Sequence, residues 1–342
     1  MASGVLLATG FDWWPDGTWV NAASFGWTGG GFQFVGAAQR NGASGKGAAN
    51  YDTGRPYVIT PTTDQVVLQF AMKPSTHTGI HGICTFLANA TATDWQLTIW
   101  RLADGSIAAY RGATNLGQTA AGLLMPGGVW IYLEVRVLFD ASAGEVEILL
   151  NGEQVLLIEG VDTQDTAYDD CTGMMFRMDV GNSVYLDDIV FRDWDAQPSF
   201  FGYLAVRSYM PAEDGDSSDF TGSDADKVDN YLLVDETVSD EDTTYVASAT
   251  PGDQDTYTIQ DHGIVTGQVL AVQVHHSARK TDGATRQFAP VLRHGSDETV
   301  GATRTLSTGY ATYTESFDDC PGSTGWTLAQ LAALKVGQVV IA

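Results

Sequence analysis

The chain has 342 residues, 44% of them hydrophobic, which is enough for one large domain or two smaller ones. Its 42 acidic and 17 basic residues give a formal net charge of −25. This balance argues against nucleic-acid binding, which needs clustered Lys and Arg, and against docking to an anionic membrane surface. The sequence also lacks an apolar run of about 18 residues, so we expect no membrane-spanning helix.

The three cysteines, Cys84, Cys171 and Cys320, are scattered along the chain. Their spacing fits neither a disulfide framework nor a zinc site. We therefore expect buried free thiols, as in a protein that folds in a reducing cytosol. The opening Met-Ala-Ser-Gly has no basic or apolar region, so we expect no signal peptide and synthesis in the cytoplasm.

Alternating apolar and polar residues, separated by turn residues, run through the first half of the chain. Such runs predict strands at 63–73, 94–101 and 129–139. Asp104-Gly105 and Asn151-Gly152 stand between runs of this kind and predict tight hairpins. Seven or more short strands at this spacing predict an all-β sandwich or jelly roll.

The strand predicted at 94–101 carries two tryptophans. Successive side chains of a strand point to opposite faces. Strict alternation therefore places Trp95 with Leu97 and Ile99 on one face, and Trp100 on the other.

One family resemblance rests on two sequence patterns in this first half. The first begins at Trp130, with W-x-x-L-E-V-R-V followed by G-x-V-E-I-L-L-N-G-E, and the second is L-D-D-I-V-F from Leu186. Together they resemble the laminin-G-like and concanavalin-like jelly rolls. The resemblance covers residues 5–195 and implies a first domain over 1–195. This fold hosts many functions, so the resemblance does not assign one.

The composition changes near residue 195. Asp193–Ser199 is typical of a linker, and we expect a second β-sandwich over 196–342. The alternation of Phe201–Met210 predicts its first strand, and the acidic stretch Pro211–Asp242 predicts mostly loop. Further strands are predicted at 256–260, 267–278, 286–292 and 338–342.

One short helix is predicted near the end of the chain. Thr327 can cap it, and Leu328, Leu331 and Leu334 then share one face. The overall prediction is an all-β protein with two sandwich domains and this single C-terminal helix.

The second half resembles bacteriophage virion proteins. The residues that carry this resemblance are Gly202, Val206-Arg207, Pro211-x-x-Asp214-Gly215-Asp216, Val234-Asp235-Glu236, Asp242–Val246, Val269–Val274, Ala278-Arg279-Lys280, Gly325-Trp326-Thr327 and Leu331, which span most of residues 200–342. The resemblance implies a structural component of a phage particle, exposed on the tail, a fibre or the capsid. It implies a virion location, other virion proteins and further copies of this chain as partners, and a role in host-surface adhesion as an alternative. It gives no catalytic residues to carry over.

A carbohydrate-binding lectin module is the alternative function. The candidate ligand-binding residues lie in a Gly-rich, aromatic segment and are Trp13, Trp14, Trp19 and Trp27. Aromatic rings of this kind stack on sugar rings. Packing in the core, or against a neighbouring subunit, is the favoured explanation of the same residues, because glycine-rich backbone next to aromatic residues often marks close packing. No cofactor is expected, because the sequence contains no glycine-rich nucleotide motif and no metal-binding histidine motif.

Two groups of aspartates are alternative calcium sites. The first is Asp12, Asp187 and Asp188, which can meet if the first and last strands of the sandwich pair. The second is Asp214, Asp216 and Asp219, whose spacing is not that of an EF-hand. Solvated acidic turns explain both groups without a metal.

A glycan hydrolase is the third function class. Glu145 and Glu147 share one face of a strand, but no third acid follows at Leu150. Glycoside hydrolysis needs two carboxylates in a cleft with different pKa values, which a hairpin edge does not provide. We therefore expect a protein that is not an enzyme.

Overall fold

The structure, a computed structural model, describes most of the chain. The described residues are 5–9, 19–21, 27–28, 31–35, 47–50, 57–74, 79–88, 93–124, 128–165, 168–177, 184–194, 200–236 and 239–342. Nearly all of their regular structure is β-strand, which confirms the all-β fold class. None of the helices found there is long and apolar enough to span a membrane.

The chain divides into two compact units, Gly4–Arg207 and Ser208–Ala342. The sequence analysis placed the division after residue 195, whereas the structure assigns residues 200–207 to the first unit. Independent folding of the two domains stays a prediction.

The first unit consists of antiparallel strands. In chain order they are β1 (Val5–Thr9), β2 (Trp19–Asn21), β3 (Trp27–Thr28), β4 (Gly31–Val35), β5 (Gly47–Asn50), β6 (Tyr57–Thr63), β7 (Gln65–Lys73), β8 (His81–Leu87), β9 (Trp95–Arg101), β10 (Ile107–Arg111), β11 (Thr114–Gln118), β12 (Ile131–Leu138), β13 (Gly144–Leu150), β14 (Glu153–Val161), β15 (Cys171–Phe176) and β16 (Val184–Asp193).

These strands form a sandwich of two sheets. The nine-stranded sheet has the order β14-β13-β12-β7-β16-β5-β4-β2, with β1 also paired to β16. The seven-stranded sheet has the order β11-β10-β9-β8-β15-β6-β3. The core lies between them, and alternation along β7 sends Val66, Leu68, Phe70 and Met72 into it. Cys84 and Cys171 are free thiols buried in the same core, as expected.

The hairpin predicted at Asn151-Gly152 is confirmed. Both residues have positive φ, 53° and 84°, as a type I′ turn requires. The turn joins β13 to β14, and the Asn151 side chain accepts a hydrogen bond from the backbone N–H of Tyr132 at 2.9 Å.

The face predicted for Trp95 is wrong because β9 contains a β-bulge. Phe86 pairs with Leu97, but the next residue, Leu87, pairs with Trp95, so Gln96 is an extra residue in β9. A bulge of this kind reverses the alternation on one side of it. Leu97 is buried in the core, whereas Trp95 is partly exposed, as is Trp100.

Residues 200–207 cover the outer face of the nine-stranded sheet, and the strand predicted at Phe201–Met210 is not formed. The Gly202 carbonyl accepts a hydrogen bond from Gln69 Nε2 at 3.3 Å. The Leu204 N–H donates to the Tyr132 hydroxyl at 3.1 Å. The Phe201 ring lies 4.2 Å from the Arg192 guanidinium carbon. Residues 200–207 therefore pack against the outer face of the nine-stranded sheet and do not add a strand to it.

A buried polar network lies beneath this segment. Gln69 Nε2 donates to Glu134 Oε2 at 2.7 Å, and Arg192 Nε donates to Gln69 Oε1 at 3.1 Å. All three side chains are fully buried. Burial lowers the pKa of Arg192 to about 10 and raises the pKa of Glu134. The amide of Gln69 thus joins two ionisable groups of opposite charge in a low-dielectric setting.

The second unit is also mostly strand. Its elements are β17 (Pro211–Ser218), β18 (Thr221–Gly222), a 3₁₀ helix (Asn230–Leu233), β19 (Val246–Ala247), β20 (Gln254–Ile259), β21 (Val272–Ala278), β22 (Gln287–His294), β23 (Asp297–Val300), β24 (Arg304–Thr305), β25 (Ala311–Phe317), α1 (Leu328–Ala332) and β26 (Lys335–Val340). A six-stranded sheet has the order β17-β20-β26-β22-β23, with β24 also on β22, while β21 pairs with β25 and β18 with β19.

The helix α1 confirms the prediction at the end of the chain. Thr327 is its N-cap and forms a capping box with Gln330. Leu331 and Leu334 are buried with Trp326 and Cys320 in the core of the second unit.

The prediction of a loop from Pro211 onward is wrong for its first eight residues, because Pro211–Ser218 form the strand β17. Among the strands that the structure describes, this acidic, Gly-containing segment pairs only with β20, at the edge of its sheet, and its register shifts twice. Edge strands tolerate proline, glycine and charged residues because one side of the strand faces away from the sheet.

A second buried polar network fixes the loop that follows β17. The Asp255 carboxylate accepts hydrogen bonds from the Phe220 N–H at 2.8 Å, Asn230 Nδ2 at 2.7 Å and the Tyr257 hydroxyl at 3.0 Å. Asp255 and Asn230 are fully buried. Burial raises the pKa of Asp255, and the three hydrogen bonds only partly offset that effect.

Candidate ligand-binding site on the seven-stranded sheet

Two neighbouring strands of the seven-stranded sheet bring polar and aromatic residues together at their ends. In the register of β8 and β9, His81 lies opposite Arg101 and Gly82 lies opposite Trp100. Directly opposite residues of antiparallel strands have side chains within about 5 Å of each other. The pairing thus places the His81 imidazole beside the Arg101 guanidinium on one face of the sheet, whereas the Trp100 indole points to the other face.

Arg177 comes from the other neighbour of β8. It directly follows β15, and its N–H donates to the Ile83 carbonyl at 3.1 Å, which continues the pairing of β15 with β8. Its guanidinium carbon lies 4.5 Å from the Trp95 ring centroid and 4.6 Å from the Trp100 ring centroid. Cation–π contacts at these distances hold one arginine head group against two indoles.

Gly82 makes room for this arrangement. A Cβ atom placed on Gly82 would lie 2.5 Å from Arg177 Cβ and 3.1 Å from Arg177 Cδ. Any other residue at this position would push the Arg177 side chain off the strand. A glycine inside a strand often marks such a close approach.

A cavity adjoins these residues at one end of the sandwich. Its volume is about 20 Å³, which is room for about one water molecule. It lies between the two sheets, because β7 and β16 supply one wall and β8, β9 and β15 supply the other. The lining residues are Met72, Pro74, His81, Gly82, Ile83, Arg101, Phe176, Arg177, Val184 and Leu186.

The polar lining of the cavity is entirely basic. Arg101, His81 and Arg177 are 3%, 8% and 9% exposed, and no acidic residue is among the described residues that line it. Burial lowers the pKa of Arg101. Each of the three side chains also makes further interactions within the chain, so each is held in place.

This arrangement suits recognition of a small polar ligand. Two partly exposed indoles offer apolar ring faces, and guanidinium groups offer several N–H donors in fixed directions. The remaining walls of the cavity are apolar, and the space between them is too small for a sugar ring, so a ligand would contact the indoles from outside the cavity.

The four tryptophans predicted to bind ligand are placed as follows. Trp13 and Trp14 lie outside the described residues. Trp19 begins β2 in the nine-stranded sheet, and Trp27 begins β3 in the seven-stranded sheet. The strands that carry them therefore belong to different sheets, and their role as a binding surface stays a prediction.

The first predicted calcium site is described only in part, because Asp12 lies outside the described residues. Asp187 and Asp188 are both 2% exposed and sit at a β-bulge of β16. Asp188 has a φ of 51°, and its Oδ1 accepts the Val206 N–H at 2.9 Å. At least one of these carboxylates thus fixes the 200–207 segment.

The second predicted calcium site is not assembled. Asp216 forms an ion pair with Lys335 and lies 3.6 Å from Arg293 Nε. Asp214 accepts the Tyr231 N–H at 3.0 Å, and Asp219 accepts the Gln254 N–H at 3.2 Å. Within the described part of the chain, no three His, Cys, Asp or Glu residues form a group that could hold a metal ion.

Glu145 and Glu147, the pair considered for glycan hydrolysis, share a cationic partner. Arg136 on the neighbouring strand β12 forms ion pairs with both, at 2.9 Å to Glu147. The Arg136 guanidinium carbon also lies 4.7 Å from the Trp194 ring centroid. These carboxylates are therefore engaged in a surface ion-pair cluster.

Sequence reasoning missed His81, Arg101 and Arg177 as a group. Arg177 is 76 positions from Arg101, and strand register alone brings them together. The one available signal was Gly82, a glycine at the second position of the otherwise apolar strand β8.

No family model and no curated protein sequence matches the chain. Several solved structures are similar to parts of it. An endo-β-1,4-glucuronan lyase from the fungus Trichoderma reesei is 14% identical with a TM-score of 0.36, over 55% of this chain and 95% of that one. The carbohydrate-binding module CBM66 from Bacillus subtilis is 10% identical with a TM-score of 0.32, over 49% and 96%. A Bacillus subtilis protein with a galectin-like fold is 15% identical with a TM-score of 0.33, over 48% and 88%. TM-scores of this size do not support an argument about function.

Proposed function

We propose that the first unit is a non-enzymatic carbohydrate-binding module whose sugar-contacting residues are Trp95, Trp100 and Arg177. The observation that carries the proposal is the contact of one guanidinium with two partly exposed indoles beside a cavity. A sugar ring presents C–H groups on its face and hydroxyls at its rim. Indole faces pack against the former, and guanidinium N–H groups donate to the latter.

Isothermal titration of the protein with a panel of oligosaccharides tests the proposal. At least one oligosaccharide should bind saturably, and Trp100→Ala should weaken that binding at least tenfold, or about 1.4 kcal/mol. Trp100→Phe, which keeps an aromatic face, should retain most of the affinity. Trp194→Ala is the matched control, because Trp194 packs on Arg136 at the nine-stranded sheet.

Three outcomes would contradict the proposal. These are the absence of any saturable ligand, equal binding by the wild type and Trp100→Ala, and a loss of affinity in Trp194→Ala alone. Depolymerisation of a bound polysaccharide, followed by chain length over time, would show that the unit is an enzyme and would refute the non-enzymatic part.

A role as a phage virion component stays a separate prediction, which rests on the sequence patterns of residues 202–331. It is compatible with carbohydrate binding, since an exposed virion protein can bind a host-surface glycan. Electron microscopy of particles labelled with an antibody to this chain tests it. Label on intact particles supports the prediction, and label absent from every particle type contradicts it.

A further inference from the structure

The extra residue of the β9 bulge, Gln96, fixes a loop beside the first of the two indoles. Gln96 is fully buried. Its Nε2 donates to the Tyr168 carbonyl at 2.5 Å and to the Asp170 carbonyl at 3.2 Å. Its Oε1 accepts a hydrogen bond from the Asp165 N–H at 3.0 Å. Because Gln96 directly follows Trp95 in the chain, this one amide holds the loop at three points next to the proposed site.

The same loop is also anchored to the end of β10. Asp162 forms an ion pair with Arg111, and its carbonyl accepts a hydrogen bond from Arg111 Nη1 at 3.4 Å. A Cβ atom on Gly112 would lie 2.6 Å from Asp165 Oδ1, so the glycine permits the close approach of the loop. The described residues of this loop, 162–165 and 168–170, are therefore held at the end of β10 and at the start of β9.

The loop carries an exposed aromatic residue, Tyr168. The tyrosine is 47% exposed, although Gln96 fixes its backbone carbonyl. A tyrosine ring on a backbone that is already held in place provides a large contact area and loses little conformational entropy on binding. Trp95 is the first residue of β9, at the end of the strand that the loop borders. A ligand that extends from the Trp95 ring past the start of β9 therefore meets this loop.

The two indoles and the tyrosine belong to separate elements. Trp95 and Trp100 contact the same Arg177 guanidinium, so their rings form one platform on β9. Tyr168 lies on the loop beyond the end of that strand. A chain of linked sugars, unlike a single sugar ring, presents one apolar face to the platform and another to the loop.

We infer that Tyr168 is a further ligand-contacting residue, and that its ring packs against the sugar unit next to the one held by Trp95 and Trp100. Gln96 is then a positioning residue, which holds the loop without touching the ligand. This inference rests on the proposed carbohydrate-binding function. It restricts the ligand to an oligosaccharide or polysaccharide, since a monosaccharide cannot use both surfaces.

Isothermal titration of the full chain tests this inference. The probes are gluco-, manno-, galacto-, xylo- and glucurono-oligosaccharides, each compared with its own monosaccharide. The oligosaccharide that binds should do so at least tenfold more tightly than its monosaccharide. Tyr168→Ala should remove most of this difference by weakening the binding of the oligosaccharide about tenfold. Tyr168→Phe, which keeps the ring, should retain most of the affinity.

Two further variants control for indirect effects. Tyr203→Ala should bind like the wild type, because Tyr203 is also exposed but packs on Tyr132 at the nine-stranded sheet. Gln96→Met keeps the length of the side chain and removes its hydrogen bonds to the loop, so it should weaken binding of the same oligosaccharide. Combined with Tyr168→Ala it should weaken binding no further, because both changes act through one ring. Melting curves confirm that the variants fold.

The outcomes separate this inference from the proposed function. Wild-type affinity in Tyr168→Ala, with binding still lost in Trp100→Ala, would overturn the inference while carbohydrate binding stands. Equal losses for the oligosaccharide and its monosaccharide in Tyr168→Ala would also overturn it. If none of the probes binds, carbohydrate binding itself fails, and the inference fails with it. Should Gln96→Met unfold, the comparison of Tyr168→Ala with Tyr203→Ala decides alone.

Discussion

The side chain of Arg177 passes directly over Gly82, so closely that a methyl group on Gly82 would lie 2.5 Å from Arg177 Cβ. This glycine belongs to β8, whose register also sets His81 opposite Arg101 and Gly82 opposite Trp100. The missing side chain therefore permits the contact between Arg177 and the two indoles. Position 82 offers a way to disturb the site without removing any of its functional groups.

Gly82→Ala should displace Arg177 and reduce glycan affinity about tenfold, while the protein stays folded. The added methyl group meets the Cβ atom of Arg177, which cannot swing away as the end of a long side chain can. Gly117→Ala on β11 is the matched control, since the nearest atom there, 2.8 Å away, is the terminal Cδ1 of Ile158. Isothermal titration measures both. Wild-type affinity in Gly82→Ala would show that the position of Arg177 is not important for binding.

Gln69→Leu should destabilise the first unit by about 2 to 4 kcal/mol. The amide of Gln69 bonds to Glu134 and to Arg192, so its removal leaves two buried ionisable groups without this link. Gln65→Leu, on the same strand but only partly buried, should change stability by less than about 0.5 kcal/mol. Urea unfolding measures both values. Similar small changes in the two variants would mean that the network contributes little to stability.

A fragment that ends at residue 207 should be more stable than one that ends at residue 195. The shorter fragment lacks the segment that covers Gln69, Tyr132 and Arg192 on the nine-stranded sheet. Its melting temperature should be several degrees lower. Identical melting temperatures would place the domain boundary near residue 195, as the sequence composition indicated.

Asp255→Asn should change how the stability of the second unit depends on pH. Burial raises the pKa of Asp255 above its unfolded value of about 3.9. The folded state therefore holds this proton more tightly than the unfolded state. The stability that the group contributes is full below the unfolded pKa and is lost as the pH rises through the folded pKa.

The stability difference between the wild type and Asp255→Asn should accordingly favour the wild type most at acidic pH and shrink as the pH rises. Denaturant unfolding of both proteins across the pH range measures it. A difference that grows with pH would show that the ionised carboxylate and its three hydrogen bonds stabilise the fold more than burial disfavours the charge.

The sequence predicted those elements that depend on neighbouring residues. Asn151-Gly152 was identified as a hairpin because few residue pairs accept positive φ at both positions. Thr327 was identified as a helix cap because it directly precedes leucines with the spacing of one helical face, and the structure adds the capping box with Gln330. In both cases the residues that make the decisive contacts are close together in the chain.

The sequence predictions were wrong where contacts between residues that are distant in the chain determine the local structure. Trp95 was predicted to share a face with Leu97 and Ile99, but one extra residue in β9, which the sequence does not reveal, reverses the alternation. Phe201–Met210 alternates like a strand but packs against an existing sheet, and the edge strand β17 has the composition of a loop. The candidate site follows the same rule, since Trp100 and Arg177 meet only through the register of β9, β8 and β15.

The most direct measurement of the central claim is nuclear magnetic resonance of the tryptophan indole N–H groups during titration with an oligosaccharide that binds. The chain has nine tryptophans, and single Trp→Phe variants assign their signals. Sugar binding at the proposed site should shift the signals of Trp95 and Trp100 and leave those of Trp194 and Trp326 unchanged. Saturable binding that shifts other tryptophans but neither Trp95 nor Trp100 would contradict the assignment of the site.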